Sequence, residues 1–176
     1  ALYWAWSQVA TSITFDLTIH MTPVYGCLLV GDYEWTDTVM HRNSREVAEA
    51  NGKQRMFEAY AQLQKGDGIV HVVSAAVGGH AVMIVDAHVE RNEAGIDGEK
   101  SYVTVLEQAS GSEKDEKKNF DEELGQDVYL CEVVDKQWSF ETIFGKGYLP
   151  VTCRELIDPS PLPEPKVEDP NKEPTV

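Results

Sequence analysis

The chain is short of positive charge: fifteen lysines and arginines stand against thirty aspartates and glutamates in 176 residues, a formal charge of −15. That balance repels nucleic-acid phosphates and anionic membrane surfaces, so no nucleic-acid partner is expected. Long hydrophobic runs are missing too. No apolar stretch approaches the roughly 20 residues needed to cross a bilayer, so no membrane span is expected, and no basic-then-apolar export segment stands among the first residues. Cysteine is scarce. Cys27, Cys131 and Cys153 lie far apart without CxxC spacing, so neither a zinc site nor a disulfide framework can be read from them. One disulfide among the three and three buried thiols explain the count equally well.

What is present suffices for one core. With 42% hydrophobic residues in 176, a single domain over 1–157 is expected. From Asp158 the composition shifts to Pro159, Pro161, Pro163, Pro165, Pro170 and Pro174 among acidic residues. That pattern predicts a semi-rigid extended linker over 158–176, with a further module expected beyond it. At the other end, Tyr3, Trp6, Val9 and Ala10 recur at helical spacing, yet no Ser, Thr, Asp or Asn caps the run. The reading is of a helix cut open and a domain incomplete at its amino end.

Helices are predicted over 44–49 and 52–63, the second with Met56, Tyr60 and Leu63 on one face and Lys53, Glu58 and Gln62 largely opposite. Strands are predicted over 68–73, 80–89, 102–107 and 127–133, with turn chemistry at 92–98. Residues 27–30 read as a strand or a buried loop, and 111–119 as a solvated charged loop. A short helix is expected over 138–144, followed by a final extended piece from Tyr148. Helices preceding a mostly antiparallel sheet define an α+β domain with its helices on one side of the sheet.

Two segments carry the chemistry, Leu63-Gln-Lys-Gly-Asp67 and Gly78-Gly79-His80-Ala-Val-Met-Ile-Val85. The glycines remove side-chain bulk beside His80 and the apolar run holds its ring on a buried framework. A lone histidine at a strand mouth ordinarily bonds only to its neighbours, but this context favours a general base. Metal is not expected. His80, Asp86 and His88 would share one face of a regular strand, but His80 and His88 would stand roughly 26 Å apart. His71 on the neighbouring strand could approach one of them, though nothing in the sequence fixes that. The loop around Asp97 lacks the oxygen-ligand spacing of a calcium site. Cys27 precedes the apolar Leu28-Leu29-Val30 rather than a polar helix start, so it reads as core before nucleophile. Cys131 and Cys153 read as structural or incidental.

The Gly-Asp67 and Gly79-His80 segments resemble those of papain-like cell-wall cysteine peptidases, the NlpC-type peptidases and CHAP amidases, over roughly residues 1 to 110. In that group a Cys-Ser-Gly stretch leads into an apolar, aromatic helix. Ala1-Leu-Tyr-Trp-Ala-Trp resembles the residues that follow the cysteine, which implies a nucleophile just upstream of residue 1. Tyr102-Val-Thr-Val-Leu-Glu107-Gln108 is similar to the CHAP pattern in which a glutamate ends the strand after the histidine strand. The resemblance therefore implies a papain-like fold and a Cys-His-Glu type triad with His80 as base and Glu107 as orienting residue. Gln108, on the opposite strand face, and Cys27 are second choices for their roles. The implied activity is hydrolysis of amide bonds in peptidoglycan peptides, without cofactor or metal, by a secreted or cell-wall-associated protein. A non-catalytic papain-like module binding wall peptides or proteins is the alternative, and acyl transfer on the same thiol chemistry is a third.

Overall fold

The computed structural model describes residue 6 and residues 21–35, 43–74, 78–107, 117–121, 126–130 and 134–158. Asn43 caps helix α1 (Ser44–Asn51) by accepting the Arg45 N–H at 3.0 Å, which satisfies a donor that a helix start leaves unbonded. Gly52 separates α1 from α2 (Lys53–Tyr60). Met56, Phe57, Ala59 and Tyr60 are buried on α2 while Lys53 and Glu58 are exposed, and Leu63 in the turn beyond it is buried. The apolar face expected over 52–63 is thus present, although its last turn is not helical.

The strands are β1 (Leu28–Leu29), β2 (Gly68–Ser74), β3 (Gly78–His88), β4 (Arg91–Asn92), β5 (Gly95–Ile96), β6 (Tyr102–Glu107), β7 (Lys117–Asp121), β8 (Gln126–Leu130), β9 (Val134–Ser139) and β10 (Leu149–Thr152). Helix α3 (Phe140–Lys146) joins β9 to β10, and α4 (Arg154–Ile157) follows β10. Six strands form the main sheet in the order β1-β10-β2-β3-β6-β9, and every described pairing is antiparallel. The pairs β4-β5 and β7-β8 are separate two-stranded ribbons. The molecule is α+β with a mostly antiparallel sheet. Helix α1 packs on β2, and α1, α2 and α3 pack on one another. Their junction is aromatic: Phe140 lies 5.5 Å from Tyr60 and 6.0 Å from Phe57 between ring centroids, all three buried. No described helix is long and apolar enough to cross a membrane.

Several expectations need correction. The strand expected over 127–133 is present as β8 over 126–130, with 131–133 outside the described residues; it pairs with β7 in a ribbon of its own, and the main-sheet neighbour of β6 is β9. Lys117, Lys118 and Asn119, read as solvated loop, belong to β7. The helix expected over 138–144 begins only at Phe140, because Trp138 pairs with Val103 in β9 and Ser139 then caps the helix by accepting the Thr142 N–H at 3.2 Å. The final extended piece is β10. β10 lies inside the sheet between β1 and β2. Of the aromatic segment at the start, Trp6 is described; it is helical and buried, and its indole N–H donates to the Gly66 carbonyl at 2.9 Å. The linker over 158–176 lies outside the described residues apart from Asp158.

Candidate functional site

His80 and Glu107 arrive from different strands. The β2-β3 hairpin sets the position of His80, and Met83 opposite Leu106 fixes β3 against β6. Glu107, one step beyond Leu106, therefore stands diagonally across from His80 on the same sheet face, within reach of long side chains. His80 Nε2 lies 2.9 Å from Glu107 Oε1. The second carboxylate oxygen, Oε2, lies 3.5 Å from the Lys136 ammonium of β9. An ionised carboxylate only accepts hydrogen bonds, so Nε2 is the donor and the lone pair of a neutral imidazole sits on Nδ1. No described residue bonds Nδ1. Both side chains are partly covered, His80 being 29% and Glu107 18% exposed, so among the described residues the ring is held at Nε2 and its other nitrogen has no partner.

The surroundings are aromatic and imidazole-rich. His71 stands directly opposite His80 in the hairpin, and both rings pack on the buried Tyr148, with centroids 5.4 and 6.5 Å away. Trp138 meets Tyr148 at 5.3 Å, and the Lys146 ammonium lies 5.0 Å over the Trp138 ring. Burial holds the His71 imidazole below its ordinary range, and the charges of His80, Lys146 and Arg45 push it the same way. Burial, and then the negative charge of Glu107, raises the Tyr148 phenol to about 12. Tyr148 therefore keeps its proton through the neutral range and forms an uncharged wall beside the His80 ring.

Sequence reasoning missed Tyr148 and Lys136 and left His71 unplaced. His71 was legible in principle, since any hairpin closing over 75–76 pairs 71 with 80. Tyr148 and Lys136 carried no local signal, because β9, which carries Lys136, and β10, which follows Tyr148, reach the site only through non-local pairing.

The other candidates lie elsewhere. Cys27 precedes β1, three strand spacings from β3, which is about 14 Å across the sheet alone, and the register carries it further, to the level of Val85. Its thiol is 3% exposed, and burial, with Cys153 beside it, pushes its pKa up to about 12. Such a thiol is neither near His80 nor activated. Gln108 and Cys131 lie outside the described residues. Asp86 and His88 do not share a face with His80 as a regular strand would have it, because a bulge between Ile84 and Asp86 reverses the alternation,. A cavity of about 580 Å³ lined by Gln62, Gln64, Asp67, Thr152 and Leu156 lies at the opposite end of β2 and β10 from His80, so it is no part of the pair. No family model, no curated protein and no solved structure matches the chain.

Proposed function

We propose that the chain supplies the base and orienting carboxylate of a papain-like cysteine hydrolase acting on amide bonds of peptidoglycan peptides, outside the cell or at its wall. The observation that carries this reading is the 2.9 Å contact between His80 Nε2 and Glu107 Oε1, which leaves Nδ1 as the ring atom that meets the reacting groups. In this reading a cysteine upstream of Ala1 faces Nδ1. His80 takes the thiol proton, the thiolate attacks the amide carbonyl, and the imidazolium returns the proton to the departing amine. Water then hydrolyses the thioester, activated by the same ring. Glu107 holds the tautomer and stabilises the imidazolium, while Lys136 holds the carboxylate from behind.

The buried Trp6 supports this arrangement. Its indole is anchored at Gly66, whose N–H bonds the Ile84 carbonyl at 2.9 Å, and Ile84 lies roughly 13 Å along β3 from His80. That ties the described residue of the aromatic segment to the turn and strand framework that carries His80.

The test uses the protein with the upstream cysteine that this reading requires, on purified muropeptides, and follows release of new amino groups. Wild type is expected to cleave. His80→Ala is expected to lose about 10³-fold or more in kcat, and Glu107→Gln about 10- to 100-fold with little change in KM. Binding of muropeptides without cleavage by wild type would overturn the enzyme reading in favour of a binding module. Full activity in His80→Ala would remove His80 from the chemistry.

A further inference from the structure

The β1-β10 register, continued by one step, sets the two buried thiols opposite each other. Leu28 pairs with Thr152 and Leu29 with Val151, so the next step of the same register places Cys27 opposite Cys153. The phase of the ladder decides what that position offers. The Val30 N–H bonds the Pro150 carbonyl at 3.2 Å, which makes 30/150 and 28/152 the hydrogen-bonded positions and 27/153 a non-hydrogen-bonded one. The Cys27 N–H accordingly turns away to the Thr22 carbonyl, at 3.2 Å. Residues opposite each other at such positions have Cα atoms about 4.5 Å apart with their side chains drawn together, inside the roughly 4.4–6.8 Å span that a disulfide bridges. Cys153 keeps extended backbone, φ −110° and ψ 154°, so strand geometry persists on its side of the pair. Both side chains are buried, 3% and 0% exposed, and each lies close enough for the charge of Cys153 to act on Cys27.

We propose that Cys27 and Cys153, present here as thiols, form an intramolecular disulfide that ties edge strand β1 to β10. The oxidant is a small-molecule disulfide. The thiolate of one cysteine attacks it, forming a mixed disulfide and releasing one small thiol. The second cysteine thiolate attacks the protein sulfur of that mixed disulfide, forming the Cys27–Cys153 bond and releasing the second small thiol. The two protons lost from the protein end on the two released thiols, and the two electrons pass to the small disulfide. Because both thiols are covered in the folded chain and a buried thiol ionises poorly, the bond forms as the chain folds rather than afterwards. The tie has a place in the architecture. β10 starts next to Tyr148, which packs against the two histidines, and ends at Thr152, one residue before Cys153, so the bridge anchors the far end of the strand on which the site rests. This cross-link is independent of the hydrolase reading.

The test is to refold the 176-residue chain in a buffer of oxidised and reduced glutathione, alkylate the remaining thiols, digest with trypsin without reductant and map the peptides. Cleavage at Arg42, Lys118, Lys136, Lys146 and Arg154 separates the three cysteines. The expected result is one cross-linked peptide pair carrying Cys27 and Cys153, with Cys131 alkylated, and the same pair in Cys131→Ala. Alkylation of both Cys27 and Cys153, or a bridge that includes Cys131, would overturn the proposal.

Discussion

At the scale of single residues, His80 is defined by what surrounds it on three sides. Glu107 takes one ring nitrogen, Tyr148 presents its ring at the side, and His71 stands opposite. The groups facing His71 are His80 from β3, Lys146 from α3, Arg45 from α1 and the ring of Tyr148. Burial and three potential positive charges all favour the neutral imidazole, so the folded pKa of His71 lies below its ordinary 6.5. The unfolded chain then binds the extra proton first as pH falls. The stability that neutral His71 contributes is complete above the unfolded pKa and is lost as pH drops through the folded one. Urea midpoints between about pH 5 and pH 8 are therefore expected to fall more steeply toward acid for wild type than for His71→Gln. Parallel curves would contradict the assignment. The sequence showed His80 and Glu107 as residue types at the right strand ends, because glycine spacing and strand ends are local features. It did not show Lys136 behind Glu107, because that contact depends on which strand pairs with β6.

At the scale of elements, the decisive joint is the short link from α3 to β10. The Gly147 carbonyl accepts the buried Ser44 hydroxyl at 2.7 Å, and the same oxygen of Ser44 accepts the Val72 N–H at 2.9 Å, so α1, β2 and the α3-β10 link close on one side chain. Gly147 has φ +74°, and a Cβ there would stand 2.3 Å from the Arg45 Cα. Both the left-handed backbone and the approach of α1 demand glycine. Gly147→Ala is expected to cost about 2–4 kcal/mol of unfolding free energy and to displace Tyr148, read by urea denaturation and by the aromatic signals of Tyr148. A loss below about 0.5 kcal/mol, the range of neutral surface changes, would show that the link relaxes freely. Element types were legible where a local rule governs them: the faces of α2, the hairpin strands β2 and β3, and β6 over the expected residues 102–107. The bulge in β3 was not legible, since Val85 and Asp86 fit a regular alternation and only the pairing with Thr104 reveals the extra residue,.

At the scale of the whole molecule, the site exists because a sheet brings together positions distant in the chain. His71 and His80 come from a local hairpin, Glu107 from the next main-sheet strand, Lys136 from beyond a separate ribbon, and Tyr148 from the link into a strand inserted on the far side of β2. The α+β class followed from the order of periodic segments, because helix and strand periods are written locally. The strand order did not, because β9, α3 and β10 fold back across the sheet through contacts that no window of sequence contains. The central claim is that Glu107 fixes His80 with Nε2 as donor, which leaves the lone pair of the neutral ring on Nδ1. The most direct test is the ¹⁵N signature of the His80 ring in this 176-residue chain, at a pH where the neutral imidazole dominates. The account predicts a single Nε2–H tautomer in wild type and a mixture of the two tautomers in Glu107→Ala. A proton on Nδ1 in wild type, or a tautomer that ignores the loss of Glu107, would contradict it.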